Sequence, residues 1–183
     1  MSELYLNYGY SPDKEAIDRS LDLIASNLEN VVSESVLMDC FSYMDVIKEK
    51  RNDQALHATA VAGCFPTSQS FVEIKAAECA MAVEAGADEI DIVLALNAFM
   101  EGNYEAAADE IRACRRAVDE AGAREGRKVV LKVIIESGVL ATPERIADAS
   151  FLAMECGADF IKTSTGKVDV NATPMAAYVM CEC

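Results

Sequence analysis

The chain has 183 residues, long enough for one domain with a substantial core, and 52% of them are hydrophobic, which argues against disorder. The 31 acidic residues against 16 basic ones leave a net charge of −15, so the surface repels phosphate backbones and anionic lipid heads, and neither nucleic acid nor a membrane surface is an expected partner. No leader-like segment opens the chain and no apolar run approaches the roughly 20 residues that span a bilayer, so a soluble cytoplasmic protein is expected.

Ser11 and Pro12 have the form of a helix cap with proline in the first turn, and Ile17, Leu21, Ile24, Leu28 and Val31 follow at helical spacing. From residue 55 the pattern becomes regular. The segment ALHATAVAG (55 to 63) predicts a strand, SFVEIKAAECAMAVEAG (70 to 86) a helix, and EIDIVLA (89 to 95) a strand. A helix from Asn103 to about Ala121, the strand KVVLKVII (128 to 135), a helix from Pro143 to Cys156 and the strand DFIKT (159 to 163) follow. Thr173 and Pro174 then open a last helix. Strands separated by helices predict parallel β/α units. Asn103 and Thr142 fit as N-caps, and Gly86 and Gly157 fall where a left-handed C-terminal cap belongs. Two regions are expected within one domain: residues 1–54, a helical region, and 55–183, the units that carry the chemistry.

An internal echo shows where that chemistry lies. EAGADEIDIV and ECGADFIKTS superpose without a gap at an offset of 71, which matches Gly86 to Gly157 and Asp91 to Lys162. Between them KVVLKVII carries Lys132 among apolar neighbours. Burying an ammonium costs several kcal/mol, on the order of the penalty for any unpaired ion, so a strand that only packed would not place lysine there. A structural ion pair among Asp91, Lys132 and Lys162 is one reading. The other is a site at the carboxyl ends of the strands, because a Thr165, Gly166, Lys167 loop follows and offers hydroxyl, N–H and ammonium donors to a phosphate. Lys162, amid apolar neighbours and near a second lysine, can be driven to the neutral amine that condenses with a carbonyl, and Asp91 can move the proton.

Other chemistries fit less well. The GK pair is not a nucleotide-binding P-loop, since Ile161 and Val168 replace the required glycine and hydroxyl. His57, the single histidine, reads as a structural residue early in its strand. The seven cysteines at 40, 64, 79, 114, 156, 181 and 183 contain no CxxC pair and suit free thiols in a reducing compartment. No metal and no cofactor are expected.

GADEIDIV, LKVIIESG, GADFIKTSTGK and NATP (171 to 174) closely resemble deoxyribose-phosphate aldolase, a class I aldolase with a TIM-type (β/α) barrel. The resemblance runs from about residue 57 to the end. It implies that Lys162 is the Schiff-base lysine, Asp91 the acid/base relay and Lys132 an active-site charge, with Gly166 and Lys167 on the phosphate side. The implied reaction is the reversible cleavage of 2-deoxy-D-ribose 5-phosphate into acetaldehyde and glyceraldehyde 3-phosphate, a step of deoxyribonucleotide catabolism. The partner is thus a small phosphorylated sugar, and a homo-oligomer is compatible with the family. VLMDC (36 to 40) is similar to the start of the family's first strand and FSYMDVIKEKR to the helix after the second. The family's last two strands have no counterpart before Cys183. The expected fold is therefore a partial barrel lacking N- and C-terminal strands, and a catalytically silent phosphosugar-binding or association module of the same fold is the alternative function.

Overall fold

A computed structural model describes the strand backbone of Glu34–Met38 and residues 56–183. The expected helix after Ser11 and the FSYMDVIKEKR helix lie outside the described residues. Five strands form one parallel sheet in chain order: β1 (Glu34–Met38), β2 (Leu56–Val61), β3 (Glu89–Val93), β4 (Val130–Ile134) and β5 (Phe160–Lys162). β1 covers the first part of VLMDC and pairs directly with β2, with Val36 opposite Ala58. The segment before residue 55 therefore contributes a strand to the same sheet.

Helices fill the connections as the alternation requires. These are α1 (Val72–Ala85), the short α2 (Leu96–Met100), α3 (Tyr104–Arg124), the single turn α4 (Ser137–Leu140), α5 (Pro143–Glu155) and α6 (Pro174–Glu182). The side chains of Asn103, Thr142 and Thr173 accept from the N–H groups of Ala106, Arg145 and Ala176, so these three polar residues start α3, α5 and α6 by satisfying a first-turn donor. The GAD echo has a structural cause of its own. Gly86 and Gly157 both adopt positive φ, ending α1 and α5. The aspartate two residues later then clamps the preceding strand. Asp88 accepts from Ala58 N at 2.9 Å and donates its own N–H to Ala58 O, and Asp159 does the same with Leu131. Burial alone would raise the Asp159 carboxyl, but the Leu131 N–H and the Arg115 and Lys128 charges hold it below its usual range.

Period-two alternation divides the sheet into two faces. Ala58, Ala60, Ile90, Ile92, Leu131, Val133 and Ile161 belong to the apolar core shared with Cys79, Ala82 and Val83 of α1 and Ile111, Cys114 and Val118 of α3. The other face carries Thr59, Val61, Glu89, Asp91, Val93, Lys132, Ile134 and Lys162, all but the two lysines buried. One face packs and the other presents charge. That division places every ionisable residue of the central strands away from the helices.

Candidate active site

Asp91, Lys132 and Lys162 lie on the common face, and the structure brings them together. Asp91 is fully buried and its Oδ2 accepts a hydrogen bond from the Lys162 ammonium. Lys132 Nζ stands 3.7 Å from Asp91 Oδ1. Their heights along the sheet differ from the superposition of the two GAD segments. Asp91 is opposite Lys132 in the register, whereas Lys162 is opposite Ile134, one inward-facing position further along. Adjacent strands are staggered in a barrel-type sheet, so equal distance from a GAD turn does not mean equal depth. The long lysine side chain spans the difference.

Lys132 is also held from below. Its ammonium contacts Glu89 Oε2 and lies 3.5 Å from Thr59 Oγ1, while Thr59 donates to the same Glu89 oxygen at 2.7 Å. His57 Nδ1 meets the other oxygen, Oε1, at 3.1 Å. Burial pushes the Glu89 carboxyl up, but the hydrogen bonds of Lys132 and Thr59, the Lys132 charge and the His57 contact together bring it down to about 2. His57 is thus satisfied by Glu89, in keeping with a structural histidine. Glu89 and Thr59 were not among the sequence candidates. The signal was present, since each lies two residues from another inward position of its own strand, Asp91 and Val61.

The loop after β5 separates its expected phosphate donors. Gly166, at positive φ, and Lys167 are exposed. Thr165 is buried, and its hydroxyl donates to Glu136 Oε2 while its N–H lies 3.2 Å from Glu136 Oε1. The Thr165 hydroxyl oxygen then accepts from Lys167 N at 3.1 Å. Thr165 therefore shapes the loop from within, and Gly166 and Lys167 form its outer surface. Glu136 takes this role from a left-handed backbone (φ 53°) directly after β4, where its carboxylate turns toward the neighbouring strand's loop. The next turn fits the same loop: a Cβ built on Gly138 would lie 1.8 Å from Val170 O and 2.7 Å from Val170 C. Both are backbone atoms and cannot rotate away. Gly138→Ala is therefore expected to displace the loop and lower unfolding free energy by about 1–3 kcal/mol, the usual cost of overpacking, measured by urea denaturation.

Among the described residues no group of three or more His, Cys, Asp or Glu could hold a metal ion, and no helix is long and apolar enough to cross a membrane. The six cysteines among them are free. The chemistry available is that of two ammonium groups and two carboxylates: amine addition to a carbonyl and proton transfer.

Comparisons with known proteins bear on the family and the fold. The family model described as DeoC/LacD family aldolase matches residues 21–183. Among solved structures, one from Coccidioides immitis, named for deoxyribose-phosphate aldolase, is similar at a TM-score of 0.81 and 24% identity, covering 98% of this chain and 66% of that one. QR15, an aldolase, is similar at 0.76 and 26% identity, over 93% of this chain and 69% of its own. The tetrameric deoxyribose phosphate aldolase of Aeropyrum pernix is similar at 0.75 and 20% identity, over 98% and 69%. The chain spans about two thirds of the length of these relatives. A five-stranded parallel sheet with its helices outside and its charges inside is accordingly a partial (β/α) barrel, and the chain belongs to the DeoC/LacD aldolase family.

Proposed function

We propose that the chain is a class I aldolase that acts on 2-deoxy-D-ribose 5-phosphate, with Lys162 forming the Schiff base. The observation that carries this reading is the contact of the Lys162 amine with the buried Asp91 carboxylate on the charged face of the sheet, beside Lys132. The family and the names of the similar structures support the substrate.

In cleavage, the neutral Lys162 amine adds to the C1 aldehyde and water leaves, giving a protonated imine. A base then takes the proton of the C3 hydroxyl, the C3–O bond becomes the carbonyl of the departing aldehyde, and the C2–C3 bond breaks. Its electron pair flows to the imine nitrogen as an enamine. Glyceraldehyde 3-phosphate departs, the enamine carbon regains a proton, and water releases acetaldehyde and the free amine. Asp91, touching the amine, is the group through which these protons pass, directly or by one water. Lys132 supplies positive charge beside it. Gly166 and Lys167 receive the substrate's phosphate.

The test is reduction with borohydride in the presence of acetaldehyde. An imine becomes a stable ethylamine, read as a mass increase, and peptide mapping assigns it. Expected is modification of Lys162; no modification would leave the alternative of a silent binding module standing. Lys167→Ala should raise KM for the phosphorylated sugar about tenfold or more, the worth of a charge-assisted hydrogen bond, with little change for the unphosphorylated one. Equal losses on both would give Lys167 a structural role.

The domain division at residue 55, a cytoplasmic location and assembly into homo-oligomers belong to the same proposal. The free cysteines suit a reducing compartment. The exposed Phe71, Ile74 and Met81 offer α1 and its approach an apolar surface for association.

A further inference from the structure

The register places Asp91 directly opposite Lys132, so Asp91 is the carboxylate that the Lys132 backbone faces. The ammonium nevertheless reaches back to Glu89, one inward position earlier on β3, and stays 3.7 Å from Asp91 Oδ1, an oxygen with no hydrogen-bond donor among the described residues. Glu89 can hold it there because both of its oxygens are fixed from β2, Oε2 by Thr59 and Oε1 by His57. Each ammonium thus has its own carboxylate: Lys132 has Glu89, and Lys162 has Asp91.

We propose that Glu89 is a positioning residue for the aldol reaction, holding the Lys132 ammonium so that Asp91 is reserved for Lys162. The inference rests on the reading of Lys162 as the amine that takes the carbonyl. Without the Glu89 charge, two ammonium groups share one carboxylate. Lys132 moves toward Asp91 Oδ1, and its positive charge acts on Lys162 without the Glu89 charge to offset it. The groups facing Glu89 among the described residues are His57 and Thr59 from β2 and Lys132 from β4, with Asp91 on its own strand and Lys162 of β5 joined to it through Asp91.

The test is competitive acetylation of the whole chain by acetic anhydride across pH, with peptide mapping that reads Lys132 and Lys162 separately. It needs no substrate and no turnover. In Glu89→Gln, the pH at which Lys162 labelling rises should fall by about one unit relative to wild type, a tenfold gain in labelling at fixed pH. In a Lys132→Met background the same substitution should leave Lys162 unmoved, because Glu89 acts through Lys132. A merely structural role would raise labelling at every pH without moving the midpoint, and that result overturns the proposal, as does an equal shift in the Lys132→Met background. Thr59→Val, which keeps the Glu89 charge but removes a donor that orients it, should shift Lys162 in the same direction by less. If Glu89→Gln does not fold, an unmoved midpoint in Thr59→Val overturns the clamp. Failure of borohydride trapping in wild type would strike the Schiff-base reading alone, whereas trapping on Lys162 with unmoved labelling would strike the clamp alone.

Discussion

Lys162→Arg is expected to abolish borohydride trapping of acetaldehyde while the chain stays folded. Arginine keeps the positive charge that Asp91 contacts and much of the side-chain length, so the buried carboxylate does not lose its counter-ion. The guanidinium, with a pKa above about 12, offers no neutral amine at working pH. Charge is conserved and the nucleophile is lost. The measurement is trapped mass with peptide mapping, beside circular dichroism to establish folding. Lys132→Leu is the informative companion, since it removes the neighbouring charge and leaves the Lys162 amine in place. Some trapping should therefore persist, most at high pH. Trapping that survives Lys162→Arg and disappears in Lys132→Leu would assign the nucleophile to Lys132.

The alternation of strand and helix could be read from residue 55 onward because its punctuation is chemical. Asn103, Thr142 and Thr173 satisfy first-turn donors, and Gly86 and Gly157 supply the left-handed exits, each for a reason that needs only local sequence. α2 and α4 could not be read in the same way. They have five and four residues, too few for a helical period to show, and α4 begins on a left-handed glutamate that no propensity favours. The stagger that sets Lys162 opposite Ile134 belongs to the pairing of two strands, which neither strand's own sequence encodes.

The charged face was legible at Asp91, Lys132 and Lys162 because each interrupts an apolar run. A buried lysine alone would have been a poor guide. Lys75 of α1 is more buried than either strand lysine, yet it bonds Ser68 Oγ at 3.0 Å and Glu110 of α3 on the helical side of the sheet, where it joins two helices and a loop. What distinguishes the strand lysines is their shared face with Asp91. Glu89 was hidden by position: at the start of its strand, next to Asp88, it reads as part of a polar turn. Its role appears only when Lys132 reaches back from the next strand. Thr165 shows the reverse, a hydroxyl in a donor-rich loop that a buried carboxylate from the segment after β4 has already engaged.

Asp91→Asn should separate imine formation from proton transfer. The amide has nearly the carboxylate's shape and can still accept a hydrogen bond from Lys162, but it neither carries charge nor takes up a proton at neutral pH. Removing one partner of a fully buried pair costs about 3–5 kcal/mol, yet here the lysine side chain is 21% exposed and water can solvate its ammonium, so the loss should be smaller and the fold retained. The Lys162 amine remains, and trapping with acetaldehyde should remain with it. The next step is different. Turning the imine into an enamine removes a proton from the adjacent carbon, and the base nearest the imine nitrogen is the Asp91 carboxylate. Deuterium uptake into the methyl group of acetaldehyde should therefore slow by about 10²- to 10⁴-fold, the usual contribution of a positioned acid/base group, while the yield of trapped imine changes far less. Exchange at the wild-type rate in this variant would remove Asp91 from the proton path and leave it as the counter-ion of Lys162. Loss of trapping in a folded Asp91→Asn would instead place its contribution earlier, in delivering the neutral amine.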